Sequence, residues 1–367
     1  MASGLVVEET LHMVPGDGDT SYARNSTVQS DLQNKLKPMI EEAVASLLKD
    51  DGATANAYCS GMAIADLGCS SGPNTLVLVS MAIDAVRRHC SELQQEPPEL
   101  CIHLNDLPSN DFNSVIRSLA TYIKTQESSS PPVLASIVPG SFHGRLFNKR
   151  SLHLVCSTAS FHWLSKAPED LVRNGIPFYD RDKVVRRARR SIVIKAYARQ
   201  FNDDFTRILH LRAQEMVPGG RMVFSLLGHR SDDKPESAIL LLEFTNAILH
   251  EMASKGLIDN EKLDSFYIPI YGPSEKEVRE IIEAEGSFSI DKMAVHESLD
   301  GIDAPKTAAR ALRAVMEAII AQHFGPSADA MDEFLKITEK FIEMAPLDAF
   351  SPNKSSAFVA ASLTRRT

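Results

Sequence analysis

The stretch Ile64-Ala-Asp-Leu-Gly-Cys-Ser-Ser-Gly-Pro-Asn-Thr-Leu76 constrains the fold more than any other part of the chain. An apolar run ends at an acid, turns at a glycine, and restarts as a helix behind Pro73-Asn74. This is how a nucleotide site begins in a doubly wound α/β sheet. A dinucleotide fingerprint needs G-x-G-x-x-G, so that backbone N–H groups can press against a pyrophosphate. Here the spacing is D-x-G-x-x-x-G, only Gly68 and Gly72 are available, and Asp66 opposes a phosphate. A cationic ligand without phosphate suits that acid better. S-adenosyl-L-methionine carries a sulfonium and an α-ammonium and meets the requirement. A tight turn with no ligand satisfies the same spacing, so the pattern needs support from elsewhere.

The rest of the chain supplies the sheet. Short apolar runs at 62–67, 101–105, 133–138, 152–157, 221–227, 288–295 and 357–363 read as seven strands. Helical patterns at 31–49, 75–90 and 196–216 fall between or before them. The alternation predicts a doubly wound, mostly parallel α/β sheet of the class I methyltransferase type. Residues 11–30 are rich in Gly, Asp, Ser and Asn and read as a loop, and 128–132 as a surface turn. Stretches at 236–260 and 306–344 are helical and surplus to the alternation. They predict an α-helical cap over the carboxyl edge of the sheet. We expect one domain over 1–367, with a core of roughly 31–230, 286–296 and 355–365. The cap then takes roughly 164–190, 231–280 and 300–345.

Charge and cysteines narrow the function. Lys and Arg number 39 against 48 Asp and Glu, which disfavours a nucleic-acid surface. The one basic run, Arg181 to Arg190, has the spacing of a solvated helix face. The five cysteines at 59, 69, 90, 101 and 156 are scattered and lack zinc spacing. Reduced thiols, no signal-peptide pattern and no membrane-length apolar run predict a soluble cytoplasmic protein with no membrane partner.

Two further segments bear on the ligand. Asp106 closes the second predicted strand, where this fold presents an acid to ribose hydroxyls. With Pro108 behind it, a turn or cap role is equally open. The third strand ends in Pro139-Gly-Ser-Phe142, where Ser141 can hydrogen-bond and Phe142 can face an adenine, or the segment is only a turn.

The motifs SYARNSTVQ at 21–29, ADLGCSSGPNTL at 65–76, LNDLPSNDFN at 104–113, PGSFHGRLF at 139–147, HWLSKAP at 162–168, RAQEMVPGGRMV at 212–223, SFYIPIYGPS at 265–274 and ALRAVMEAIIAQHFG at 311–325 occur in that order. With them the chain resembles the plant SABATH carboxyl methyltransferases over nearly its full length. That family esterifies salicylate, benzoate, jasmonate, indole-acetate and related acids. The resemblance implies S-adenosyl-L-methionine as cofactor, S-adenosyl-L-homocysteine as product, and a homodimer. It places Tyr22, Asn25, Ser26, Asp66, Cys69, Asn74, Asp106, Leu107, Ser141 and Phe142 at the cofactor, and Gln29 and Trp163 at the substrate carboxylate. Such acids have pKa values of about 3–5, so they are ionised near neutrality. An anionic oxygen attacks a sulfonium methyl without a general base, so no catalytic acid or base is expected. The protein has only to hold and align the carboxylate, and Gln29 and Trp163 offer neutral N–H donors for that.

The choice of acid depends on the wall. Ala159 stands where salicylate-forming relatives tend to carry a larger aromatic, and His162 where they often carry methionine. The small residue predicts room for a bulkier acid such as jasmonate or an indole acid, although Phe161 is expected to take some of that space. Leu226, Tyr271, Leu312, Val315 and Met316 are expected to complete an apolar wall. The segment at 297–306 is shorter than the acidic loop of many relatives. Some members hold a structural magnesium near an Asp-x-Phe-Asn motif. Here the motif reads Asp264-Ser-Phe-Tyr267, with Asn174 as a further vestige, and no metal is expected. N-methylation of a xanthine- or nicotinate-like ring is the alternative within the family. A nicotinamide-dependent dehydrogenase and an inactive cofactor-binding protein are the alternatives outside it.

Overall fold

The computed structural model describes residues 12–49, 61–126, 132–297, 305–325, 328–344 and 357–367. Cys59, residues 128–131 of the predicted surface turn, and 298–304 of the shortened segment lie outside them. Seven strands form one sheet: β1 (Met62–Leu67), β2 (Leu100–Asp106), β3 (Val133–Pro139), β4 (Leu152–Thr158), β5 (Met216–Gly228), β6 (Phe288–Glu297) and β7 (Ala357–Arg365). Their order is β3-β2-β1-β4-β5-β7-β6. β7 runs antiparallel to both of its neighbours, and the other pairings are parallel. β1 and β4 carry residues buried on both faces, as expected of central strands covered by helices on both sides.

The chain winds outward from β1 to β3, then crosses back to β4 on the other side of β1. A crevice therefore opens at the carboxyl ends of β1 and β4, the switch point where ligands bind in such sheets. Ten helices cover the sheet and this edge among the described residues: α1 (Tyr22–Asn25), α2 (Thr27–Lys49), α3 (Val77–Glu92), α4 (Phe112–Gln126), α5 (Glu169–Arg173), α6 (Lys183–Glu215), α7 (Leu240–Ser254), α8 (Glu275–Glu285), α9 (Pro305–Phe324) and α10 (Ala328–Met344). α2 buries Leu32, Leu36, Ile40, Val44 and Leu47 at helical spacing, and each such side chain contributes about 1.5–3 kcal/mol.

Three expectations need correction. Residues 22–25 and 27–30 are helical rather than loop, because Tyr22 and Val28 are buried and fix the chain although its composition is polar. α6 starts at Lys183, well before the expected 196, because the Asp182 carboxylate accepts hydrogen bonds from the backbone N–H groups of Val184 and Val185. Its basic first turns are held by neighbours: Arg189 pairs with Asp180 at 3.0 Å, Arg190 pairs with Glu243, and the Arg186 guanidinium lies 4.1 Å from the Tyr179 ring centre. β5 begins at Met216, so Pro218-Gly-Gly220 lies inside the strand, where its register against β4 slips. No helix of the described residues is long and apolar enough to cross a membrane.

Candidate active site

The turn after β1 is built from its two glycines. Gly68 has φ +77°, and a Cβ there would lie 2.2 Å from the Ser160 hydroxyl. Gly72 has φ +91°, and a Cβ there would meet the Ala23 Cβ at 2.7 Å. The first glycine lets the segment after β4 close over the turn. The second lets α1 pack against it. Ser70 between them is left-handed at φ +54° and is held by its backbone N–H, which donates to Asp106 Oδ2 at 2.6 Å. The Leu107 N–H donates to Asp106 Oδ1 at 2.7 Å, and Asn110 donates to the Ser70 carbonyl at 2.9 Å.

These segments surround a polar cavity of about 90 Å³. Tyr22, Asp106, Leu107, Ser141 and Phe142 all stand on its wall. So do Asn110, Thr158 and His143, which the sequence reading missed. Asn110 lies within the quoted motif LNDLPSNDFN, and its distance from Asp106 gave the only signal.

The other expected cofactor residues do not line that cavity, and Asn25, Ser26 and Asn74 are engaged in structural hydrogen bonds instead. Asn25 turns back and donates to the Asp19 and Ser21 carbonyls at 2.8 and 2.7 Å. Asn74 donates to the Ser26 carbonyl and hydroxyl at 2.8 and 2.9 Å, tying the start of α2 to the turn. Cys69 is buried in the apolar core below the turn, and the same burial pushes its thiol pKa up. Asp66 sits beneath the cavity, 2% exposed, with Oδ1 lacking a hydrogen-bond partner.

Electrostatics give this cavity a preference. Burial, then the Asp106 charge, raises the Asp66 pKa to about 8. Burial raises Asp106 to about 6, against the lowering effect of its two backbone N–H donors. Burial, then Asp106, also raises the Tyr22 phenol and keeps it protonated. A buried carboxyl and a partly buried one, with no Lys or Arg among the described residues of the wall, favour a positively charged nucleoside. The orphaned Asp66 oxygen, the acid at the end of β2 and the Phe142 face fit S-adenosyl-L-methionine.

A carboxyl raised in the folded state keeps its proton where the unfolded chain has lost it. Stability from Asp66 is therefore complete below about pH 4 and falls as pH climbs toward 8. We predict that the ligand-free melting temperature falls between pH 6 and 8, and that Asp66→Asn flattens this fall. Equal slopes for the two proteins in thermal scans would contradict the assignment.

A second, apolar cavity of about 230 Å³ adjoins the first. Met13, Tyr22, Ala159 and Trp163 line both, so they form the shared wall. Gln29, His162, Leu312, Val315 and Met316 face the apolar cavity, together with Leu240, Leu241 and Phe244 of α7, Ile342 of α10 and Phe358 of β7. The Gln29 Oε1 is buried and without a hydrogen-bond partner. Trp163 is fixed at its backbone, where its N–H donates to the Ser160 carbonyl at 3.0 Å and the chain bridges to Ile270. His162 Nδ1 accepts from the Leu227 N–H at 3.1 Å, and burial lowers the ring pKa to about 3. The imidazole is thus neutral with its proton on Nε2, a third uncharged N–H donor. Ala159 holds φ +52° between the two cavities.

Several wall expectations are corrected. Leu226 is fully buried in the core, and Leu227 faces the cavity instead. Tyr271 gives way to Ile270, because its ring packs on Phe201 and its hydroxyl donates to Glu277 at 2.8 Å. Phe161 takes no cavity space, since it packs among Phe142, Phe205 and Phe224. At the expected magnesium vestige, Tyr267 donates its hydroxyl to the Ile176 carbonyl at 2.9 Å and Asn174 its amide to the Asp170 carbonyl at 2.6 Å. Both groups are thus engaged in structural hydrogen bonds to backbone carbonyls.

A switch-point cavity with two acids beside it, adjoining an apolar chamber with neutral donors, defines a small-molecule methyltransferase. A family model described as SAM dependent carboxyl methyltransferase matches residues 8–366. The chain is 41% identical over 346 residues to a probable jasmonic acid carboxyl methyltransferase of Theobroma cacao, covering 89% of this chain and 91% of that one. It is 36% identical over 368 residues to caffeine synthase 3 of Camellia sinensis, covering 97% of each. A solved loganic acid methyltransferase with SAH superposes with TM-score 0.83 at 30% identity, over 97% of this chain and 99% of that one. The chain belongs to the SABATH family of S-adenosyl-L-methionine-dependent carboxyl methyltransferases.

Proposed function

We propose that the apolar chamber takes a plant monocarboxylic acid with a bulky apolar body, of the jasmonate class, and that Gln29 and Trp163 hold its carboxylate. The observation that carries this is the donor set. Among the described residues no Lys, Arg, Asp or Glu lines the chamber, and its polar side chains are Tyr22, Gln29, His162 and Trp163. Neutral N–H groups fix a carboxylate without quenching its nucleophilicity, and a second charge on the ligand would stay unpaired. The similarity to a jasmonic acid enzyme supports the same reading.

The polar cavity is assigned to the cofactor, with Asp106 at the ribose, Phe142 and Ser141 at the adenine, and Asp66 acting through its field from below. Bound there, S-adenosyl-L-methionine supplies an electrophilic methyl group on sulfonium. The chain's own part is alignment. The shared wall of Met13, Tyr22, Ala159 and Trp163 sets where the two ligands meet, and Gln29 and Trp163 aim the carboxylate across it. The substrate is already an anion, so no side chain needs to remove a proton. Helices α7, α9 and α10 act in this reading as the cap, and a cytoplasmic homodimer is the proposed form.

Methyl-labelled cofactor with a panel of benzoate, salicylate, jasmonate, indole-acetate and gibberellin acids tests the proposal. Methyl jasmonate or another ester of a bulky apolar acid is expected to dominate. No ester from any acid sinks the reading. A xanthine ring in the same panel tests N-methylation, the second reading, to which the similarity to caffeine synthase 3 points.

A further inference from the structure

Arg212 and Glu215, from the motif RAQEMVPGG, are both fully buried, yet neither faces either cavity. They form an ion pair at 2.8 Å in the last turn of α6. Their remaining hydrogen bonds go to one place, the irregular segment after β3 that carries Ser141, Phe142 and His143. The Arg212 guanidinium donates to the Phe142 carbonyl at 3.2 Å and to the Gly144 carbonyl at 2.8 Å. Arg207, one turn earlier, donates from Nε to the His143 carbonyl between them at 2.9 Å. Glu215 Oε1 accepts from the Leu146 and Phe147 N–H groups at 2.7 and 3.0 Å.

We infer that Arg212 and Glu215, assisted by Arg207, are positioning residues that hold the 142–147 backbone in the shape needed to bind the nucleoside end of the cofactor. This rests on assigning the polar cavity to the cofactor. A segment without regular structure has no ladder for its backbone groups, so side chains must meet them. The guanidinium plane reaches two carbonyls, one on each side of the one bound by Arg207, and the carboxylate takes two successive amides. The desolvation cost of two charges offsets most of what a buried pair contributes to stability, so stability alone does not explain it. What the pair fixes is the set of carbonyls and amides that orient Phe142 and Ser141.

The test compares the full chain with the double variant Arg212→Met/Glu215→Leu and with Arg207→Gln. The double variant removes both buried charges; Arg145, 3.3 Å from Glu215, loses that partner but is solvent-accessible and still donates to the Phe147 carbonyl and to Gln214. The readouts are S-adenosyl-L-homocysteine titration by calorimetry, quenching of the lone tryptophan, Trp163, and thermal melting. The double variant is expected to melt cooperatively and to bind at least about tenfold more weakly, with KM for the acid within about twofold. Arg207 is exposed, so Arg207→Gln is expected to keep its melting temperature and lose about two- to fivefold in affinity, and Arg207→Lys to restore part of it. Binding within about twofold of the parent in the folded variants overturns the inference, and Arg207→Gln alone decides if the double variant fails to fold. A parent chain that does not bind the probe overturns the cavity assignment, and this inference with it. Parent binding with unaffected variants overturns this inference alone.

Discussion

Exchange of Trp163 for phenylalanine is expected to lower kcat/KM for the acid about 10- to 100-fold while changing S-adenosyl-L-homocysteine affinity less than about threefold. Phenylalanine keeps an aromatic, though smaller, wall between the two cavities and deletes the indole N–H. A hydrogen bond to a charged acceptor contributes about 1.5–3 kcal/mol, which sets the range. The loss belongs mainly in KM if the bond holds the ground-state carboxylate, and in kcat if it tightens as the methyl transfers. Alanine is a worse probe, because Trp163 lines both cavities and its removal merges them. Initial rates with the acid varied at saturating cofactor, beside calorimetry, separate the cases. Equal losses for acid and cofactor would show that Trp163 serves as packing only.

Asp106→Ala is the second large effect. Its carboxylate accepts the Ser70 and Leu107 N–H groups, and Ser70 is the left-handed residue of the turn. Truncation leaves both donors without partners, at about 1–3 kcal/mol each, and frees a strained residue. A fall of about 2–4 kcal/mol in unfolding free energy is expected, with cofactor-analogue affinity reduced at least about 100-fold. Denaturant titration and calorimetry measure the two. Asp106→Asn keeps one acceptor oxygen and should recover part of the stability but little of the affinity. Undiminished binding by Asp106→Asn would remove the carboxylate from the ribose assignment.

The sheet was legible because strands buried on both faces read as continuous apolar runs, and each of the seven ran within a few residues of the structure, β5 apart. The switch-point cavity followed from the acid and glycines at 66–72. Wall residues were harder to place. Choosing Leu226 over Leu227, or Tyr271 over Ile270, needs the parity of a strand or an extended segment against a chamber the sequence does not display. Tyr271 was drawn away by Glu277, whose capping box with Ser274 starts α8. The start of α1 was hidden for a similar reason. Its polar composition describes a loop, and only packing against Gly72 and the cavity wall makes it helical. Arg212 and Glu215 carried no periodic signal at all, since their partners are backbone groups far off in sequence.

The place of β7 has a kinetic consequence. β6 touches the sheet only through β7, and β7 reaches back to β5 across a separation of 143 residues between Arg221 and Thr364. Contacts of such long range are slow to form, because the intervening chain must first be brought together. β1 to β5 can zip up as a parallel array while β6 still has no strand to pair with. Phe358 of β7 also lines the apolar cavity. Refolding should therefore restore the switch-point crevice before the apolar cavity beside it, with the second waiting on the arrival of one late antiparallel strand.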